Sequence, residues 1–316
     1  MRIPKGMQNE RGILAGAAAY TLWGFFPLYL HTLSAVPPWQ ITAHRVVWAC
    51  GLLLALSAGT RQLGALRALR NRRVAVIYLG LGLLLGANWL TFVWAVNSGH
   101  AVEASLGYFI NPLVNVLLGM VFLGERLRRG QWLAVGLAAA GVIYLTLRFG
   151  SPPWVALILA VTFGFYGLLK KRSPLAALPG LTLETMLMLP AALAYLAWAE
   201  LNGVGAFGHM GTGIALLLAG TGAVTAAPLL LFALAAAPAA RGAQGVPLST
   251  LGLLQYISPS IQLVNGVLLF SEPFTAERAV GYILTWLALA VFTLDGLRQR
   301  KRTLHPNPEP SAKVSL

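Results

Sequence analysis

Apolar runs separated by short polar or basic stretches divide this chain from end to end. Each run is close to the 20 or so residues of helix that cross a hydrocarbon core about 30 Å thick. The pattern therefore predicts an all-α integral membrane protein with ten transmembrane helices. The predicted spans are 12–33, 39–58, 74–95, 102–123, 131–147, 154–169, 181–199, 212–232, 249–270 and 279–296.

The composition indicates that most of the chain lies in the apolar interior of a membrane. The 316 residues are 57% hydrophobic and 10% charged, with a mean hydropathy of +0.71, whereas soluble domains carry about 25% charged residues. No polar segment is long enough for a soluble catalytic domain. The single cysteine, Cys50, lies in span two and excludes an intramolecular disulfide or a cysteine metal cluster. We find no phosphate-binding glycine loop, zinc spacing or nucleophile elbow, so we predict no enzyme, no catalytic residue, no metal and no cofactor.

The net charge of +14 raises the alternative of a nucleic-acid binder, and the placement of the basic residues answers it. Arg148 and Arg278 fall on one side of the ten-span map, and Arg45 falls within a span. The other twenty all fall on the opposite side: Arg2, Lys5, Arg11, Arg61, Arg67, Arg70, Arg72, Arg73, Arg126, Arg128, Arg129, Lys170, Lys171, Arg172, Arg241, Arg298, Arg300, Lys301, Arg302 and Lys313. Short basic loops stay cytoplasmic. Both termini are therefore predicted to be cytoplasmic, and the charge needs no nucleic acid as partner.

An internal repeat divides the spans into two halves. A Pro, a Gly seven residues on and a Glu thirteen residues on occur at Pro112, Gly119 and Glu125, and again 147 residues later at Pro259, Gly266 and Glu272. A second pair, Tyr20-x-x-Trp23-Gly24 and Phe163-x-x-Tyr166-Gly167, has an offset of 143. Five spans per half is an odd number, so the halves cross the membrane in opposite senses. This 5+5 inverted repeat is typical of secondary transporters, whose ligand site lies near the midplane.

The repeat defines the predicted domain boundaries. Residues 1–11 form a cytoplasmic N-terminus, and residues 12–147 form the first five-helix repeat. Residues 154–296 form the second, inverted repeat, and residues 297–316 form a basic, proline-containing cytoplasmic tail. The Ala/Gly/Pro-rich loop at 235–247 and the tail after 303 are predicted to be flexible and inessential.

Polar residues recur on one face of two spans. Gln255, Ser258, Gln262 and Asn265 follow helical spacing in span nine, and Tyr108, Asn111 and Asn115 occupy equivalent positions in span four. One interpretation is interhelical hydrogen bonding, which contributes roughly 0.6 kcal/mol per bond on average. The other is that the stripes line a substrate cavity. The two prolines, each of which frees a backbone carbonyl, favour the second interpretation slightly.

Charged residues within spans need an explanation because each is costly in lipid. Arg45, beside His44, and Glu103 lie at similar heights, and we predict that they pair. A structural ion pair, an outer gate and proton coupling are the alternatives for this pair, and a proton role for His44 is conceivable. Glu184 is predicted to be an interfacial structural residue. Glu125 is predicted to stabilise a helix end or to pair with an Arg three or four residues on.

Aromatic residues divide by depth. Those near span ends fit an interfacial belt: Trp39, Trp132, Trp154 and Trp198. Deeper ones offer faces either to an apolar or cationic ligand or to helix packing: Tyr20, Trp23, Trp89, Trp94, Tyr108, Tyr166 and Tyr256.

Several segments together resemble the RarD branch of the EamA transporters, in the drug/metabolite transporter superfamily. They are Tyr20-Thr-Leu-Trp-Gly24, Thr42-Ala-His-Arg-Val-Val-Trp48, Gly86-Ala-Asn-Trp-Leu90, Trp94-Ala-Val-Asn97, Glu103-Ala-Ser-Leu-Gly-Tyr-Phe-Ile-Asn-Pro-Leu113 and Leu123-Gly-Glu-Arg126. The likeness covers about residues 10–300. Span nine is similar too, with Ser258 where the family usually has Gly. The Pro-to-Glu pattern is shared more widely across the superfamily.

The resemblance implies a multi-pass permease of the bacterial inner membrane that moves an amino acid, metabolite or amphipathic drug by alternating access. Proton or counter-substrate coupling is open. The alternatives are a non-transporting sensor or scaffold and a lipid-acting enzyme. The predicted substrate-binding or pathway residues are Tyr20, Trp23, Asn88, Trp89, Tyr108, Asn111, Asn115, Tyr166, Gln255, Tyr256, Ser258 and Gln262. The predicted charged gate or coupling residues are His44, Arg45 and Glu103.

Overall fold

The protein is a bundle of α-helices, and the described part contains no strand. A computed structural model describes residues 5–97, 101–149, 154–236, 246–268 and, apart from four positions, 279–295. The helices are α1 (Lys5–His31), α2 (Pro38–Gly59), α3 (Arg72–Asn97), α4 (Ala101–Leu123), α5 (Arg129–Phe149), α6 (Trp154–Lys171), α7 (Ala177–Leu201), α8 (Thr212–Ala236), α9 (Leu248–Leu254) and α10 (Ile257–Leu268). A 3-10 helix, Leu63–Arg70, joins α2 to α3.

Seven of the described helices are long and apolar enough to cross a membrane. They correspond to predicted spans one, two, three, five, six, seven and eight. Two shorter apolar helical stretches, Ile110–Leu123 and Ala279–Phe292, correspond to spans four and ten. The predicted all-helical membrane fold is confirmed.

Predicted span nine differs from the structure, because it is broken into α9 and α10. Pro259 explains the break. It has no amide hydrogen for the carbonyl of Gln255, four residues earlier, and its ring clashes with that carbonyl. The amide of Ser258 bonds Gln255 instead, at 3.1 Å, in a tighter turn. The four polar residues of this span therefore do not share one continuous helix, since Gln255 lies in the break.

Local sequence accounts for two other helix boundaries. Pro38 starts α2, at a position where the missing amide hydrogen costs nothing. Gly124 ends α4 with φ +65°, a left-handed conformation that glycine adopts without steric cost.

Helices from the two halves of the chain pack against each other. The principal contacts between halves are α1 with α8 and α10, α2 with α7 and α8, α3 with α6 and α7, and α4 with α6 and α9. Glycines allow the closest approaches. A Cβ at Gly222 of α8 would lie 2.6 Å from the backbone carbon of Trp48 of α2. The main core therefore lies at the junction of the two halves.

Candidate functional site

A cavity of about 920 Å³ opens inside the bundle. Residues of α1, α2, α3, α4, α6, α8 and α10 line it, as does Gln255 at the break between α9 and α10. The lining also includes Leu33, Ser34 and Val36, which connect α1 to α2. The cavity therefore extends from the middle of the bundle to the end at which α1 meets α2.

Ten of the fifteen predicted site residues line this cavity. They are Tyr20, Trp23, Arg45, Asn88, Trp89, Tyr108, Asn111, Gln255, Ser258 and Gln262. Four others, His44, Asn115, Tyr166 and Tyr256, are buried outside the lining. The side chain of Glu103 lies outside the described side chains, so its predicted pairing with Arg45 stays a prediction.

Some residues of the two polar stripes form hydrogen bonds between helices. Asn115 donates to Oε1 of Gln255 at 3.1 Å. Gln262 donates to the carbonyl oxygen of Trp23 at 3.3 Å, and Asn265 donates to that of Gly24 at 3.2 Å. The Oδ1 atoms of Asn111 and Asn115 are both buried without a hydrogen-bond partner among the described residues. Packing and cavity lining are therefore not exclusive, because Gln255 and Gln262 take part in such hydrogen bonds and also line the cavity.

Arg45 lies in the cavity wall and is only 6% exposed. Its Nε donates to Oγ1 of Thr225 at 3.0 Å. Its guanidinium carbon lies 4.7 Å from the ring centroid of Phe26 and 4.3 Å from that of Trp89. Among the described side chains no carboxylate lies within ion-pair distance of Arg45. Aromatic faces stabilise a desolvated cation by about 2 kcal/mol or more, which offsets only part of the cost of burying an arginine in a membrane.

An aromatic cluster forms the end of the cavity farther from the α1–α2 connection. Trp23 and Phe163 meet edge to face with centroids 5.7 Å apart, and both contact Phe232, at 5.9 and 5.5 Å. Tyr20 and Tyr166 contact the same Phe232 ring, at 6.3 and 6.1 Å. Four of these five rings belong to the repeated aromatic motif of α1 and α6. The two copies of that motif therefore meet directly.

A buried ion pair lies beyond this cluster. Lys170 of α6 and Glu184 of α7 are 1% and 0% exposed, and Nζ of Lys170 donates to Oε1 of Glu184. The hydroxyl of Tyr166 donates to the other carboxylate oxygen at 3.0 Å. Lys170 therefore lies within α6, one residue beyond the predicted end of span six, and the structural role of Glu184 is that of a buried ion-pair partner, while its predicted interfacial position stays a prediction. Each residue neutralises the charge of the other, and assigning basic residues to loops from the sequence does not predict such a pair.

Glu125, between α4 and α5, holds the start of α9. Its carboxylate accepts from the amides of Leu248 and Ser249 at 2.7 and 3.1 Å, from the Ser249 hydroxyl at 2.7 Å and from Lys171 Nζ at 3.3 Å. Burial by itself would raise the pKa of Glu125, but the hydrogen bonds from Ser249 and Leu248 and the charge of Lys171 lower it. The predicted role of Glu125 at a helix end is confirmed, although the helix is α9, which is distant from Glu125 in the sequence. The described partner is Lys171 rather than a nearby arginine.

Several lining residues were absent from the predicted set, including Phe26, Thr42, Phe163 and Thr225. Phe163 carried a signal, because it opens the second copy of the aromatic motif. Thr225 did not stand out, since threonines in apolar helices commonly bond their own backbone. Among the described residues no group of His, Cys, Asp and Glu could hold a metal ion.

Known proteins resemble this chain along nearly its whole length. The EamA-like transporter family matches residues 10–147. An uncharacterized transporter of Pseudomonas aeruginosa is 44% identical over 298 residues, covering 94% of this chain and 98% of that protein. The protein RarD of Escherichia coli is 42% identical over 297 residues, covering 94% and 98%. The chloramphenicol-sensitive protein RarD of Pseudomonas aeruginosa is 35% identical over 298 residues, covering 92% and 96%.

A solved protein structure shares the fold. It superposes with a TM-score of 0.68 at 21% identity, over 91% of this chain and 99% of that one. With the family match and the three relatives already described, this places the apolar helices and the cavity between them in a known class of membrane transporter. The chain belongs to the EamA-like transporter family, among its RarD-type proteins.

Proposed function

We propose that the protein is a secondary transporter that carries a small molecule across the bacterial inner membrane by alternating access. The observation that carries this proposal is the cavity of about 920 Å³ lined by helices of both halves. Its volume lies in the range of sites that enclose small molecules. Transporters built from two repeats bind substrate where the repeats meet.

We further propose that ten helices form a 5+5 inverted repeat with both termini cytoplasmic. The helix contacts support the repeat, because most of them occur in pairs. Contacts of α1 with α8 and α10 have counterparts in contacts of α6 with α3 and α4. The contact between α2 and α8 has its counterpart between α7 and α3. A pseudo-two-fold axis that exchanges the halves produces such pairs.

The two ends of the cavity support alternating access. The end at the α1–α2 connection falls on the outer side of the topology predicted from basic residues. The other end is closed by the aromatic cluster around Phe232 and, beyond it, by Lys170 with Glu184. We propose that the structure is an outward-facing state, and that an inward-facing state requires α6 to move relative to α8.

A ligand screen followed by flux measurement tests this function. Purified protein is heated with amino acids, organic acids and chloramphenicol, the last because a relative's name refers to it. A ligand stabilises the folded state by RT ln(1 + [L]/Kd). A compound that raises the melting temperature should exchange across proteoliposomes that contain the protein. Binding without exchange supports a sensor instead, and a modified lipid product supports an enzyme.

Asn111→Leu provides the site control for that exchange. It removes a lining amide whose oxygen has no described partner, so exchange should fall at least about tenfold while the melting temperature changes little. Asn202→Leu, at the exposed end of α7, is the matched substitution outside the cavity. Normal exchange by Asn111→Leu would contradict the proposal that the substrate passes through this cavity.

A further inference from the structure

Arg45 retains unused hydrogen-bonding capacity inside the cavity. A guanidinium carries five N–H donors, and the one hydrogen bond described for Arg45 uses Nε, toward Thr225. Phe26 and Trp89 cover its planar faces. The two terminal nitrogens therefore have no acceptor among the described groups. Their fork is the geometry that pairs with a carboxylate or another two-oxygen anion.

The described wall offers no fixed negative charge to balance Arg45. Its two basic residues are Arg45 and His31, and it includes no Asp or Glu. The carboxylates of Glu184 and Glu125 are bound to Lys170 and Lys171, outside the lining. Low-dielectric walls around a single charge focus its field into the cavity.

We propose that the cavity binds substrates that carry an anionic group, a carboxylate in the simplest case, which Arg45 receives through its terminal nitrogens. This inference rests on the proposed transport function and names its substrate class. The rest of the ligand is apolar or aromatic, because Trp23, Trp89, Phe92 and Phe163 provide ring surfaces in the same wall. Asn111 Oδ1 accepts a hydrogen bond from a polar N–H or O–H group of the ligand.

The charge at Arg45 is measurable without knowing the natural substrate. Cys50 is the single cysteine and is buried, so Cys50→Ala gives a cysteine-free background. Thr42 lines the cavity three residues before Arg45, on the same side of α2. Thr42→Cys is then modified with two methanethiosulfonates, one bearing sulfonate and one bearing trimethylammonium. The ratio of the two rates, divided by the ratio for a free thiol in solution, reports the local charge.

We expect the sulfonate reagent to be favoured at least about fivefold over its free-thiol ratio, as a single charge in a partly desolvated site predicts. Arg45→Gln should abolish that preference, and Arg45→Lys should retain it within about twofold. Arg148→Gln, at the end of α5, is the control arginine and should change nothing. A ratio equal to that of the free thiol overturns the proposal even if Arg45→Gln does not fold.

A pair of ligands differing in charge tests the substrate class. Phenylacetate should slow modification of Thr42→Cys by either reagent at least threefold more than phenylacetamide does. Equal protection by the two compounds, or protection by neither, overturns the proposal. If neutral or cationic compounds are exchanged and Arg45→Gln does not affect that exchange, the transport function is supported and the anion site is contradicted. A preference for the sulfonate reagent without exchange of any compound would support the anion site and contradict the proposed transport function.

Discussion

Two buried cations in this protein have opposite surroundings. Lys170 is 1% exposed and is bound to Glu184, in the closed region beyond the aromatic cluster. Arg45 is 6% exposed, faces the open cavity and has a hydroxyl and two rings as its described partners. Burial is similar, but only one charge is neutralised within the described structure. This contrast is why we propose that Arg45, whose charge has no described counter-charge, rather than Lys170, marks the binding region.

The largest expected effect comes from removing the partner of Lys170. Glu184→Gln leaves a buried ammonium without a counter-charge, which should lower the free energy of unfolding by about 3–5 kcal/mol. Thermal unfolding of purified protein measures this. The double variant Lys170→Met, Glu184→Leu should recover a large part of the loss, because the uncompensated charge is gone. A cost below about 1 kcal/mol for Glu184→Gln would show that water reaches the pair.

The next effect tests whether α2 and α8 hold Arg45 against Thr225. Gly222→Ala places a methyl group 2.6–2.7 Å from the backbone of Trp48, so we expect a loss of about 1–3 kcal/mol from overpacking. Gly51→Ala is the matched control, because nothing lies within 4 Å of the added carbon. That variant should be neutral or stabilising, since Ala is favoured over Gly in a helix by about 1 kcal/mol. Equal melting temperatures for the two variants would contradict the close approach.

Glu125 extends the comparison to a partly exposed ion pair. Glu125→Gln should destabilise the protein by about 1–3 kcal/mol at neutral pH, since a partly buried, charged acceptor of four hydrogen bonds is weakened. The pKa of Glu125 is lowered in the folded protein. Its contribution is therefore present above the ordinary carboxylate pKa and is lost as the pH falls through the lower folded value. The wild type and variant should converge in acid, and a constant difference down to about pH 3 would refute this assignment.

Arg45→Gln should have a much smaller effect on stability than Glu184→Gln. Losing one hydrogen bond and two ring contacts is offset by relief of a desolvated charge, so we expect a change within about 1 kcal/mol. Unfolding measurements on both variants in one detergent provide the comparison. Destabilisation by about 3 kcal/mol or more would mean that Arg45 is as fully paired as Lys170.

The smallest expected effect concerns Glu103. A double-mutant cycle of Arg45→Gln and Glu103→Gln measures their coupling directly. We expect a coupling below about 0.5 kcal/mol, because the terminal nitrogens of Arg45 are proposed to bind an anionic substrate rather than Glu103. Coupling above about 1.5 kcal/mol would support the ion pair predicted from their similar heights.

Local pattern determined much of the protein. Apolar runs near the length of a membrane span predicted the helices, and the repeated Pro, Gly and Glu positions are the basis of the proposed duplication. Helical spacing also selected polar residues that line the cavity, such as Asn111, Gln262 and Ser258. The helices and the cavity-lining positions could be predicted because solvent preference and helical geometry depend on neighbours within a few residues.

Tertiary structure alone decided which of those polar residues are satisfied. Asn115 and Asn111 are one turn apart on α4, and within the described residues Asn115 Nδ2 bonds Gln255 of the other half, while Oδ1 of each asparagine has no described partner. Lys170 lay just past predicted span six, but α7 places Glu184 beside it. The described neighbours of Arg45 are Thr225, Phe26 and Trp89. Two of these contacts, Arg45 with Thr225 and Asn115 with Gln255, join residues more than a hundred positions apart. The spacing of polar residues within one helix specifies which face is polar. The charges and hydrogen-bond partners that contact this face come from other helices, and the sequence of the first helix does not specify them.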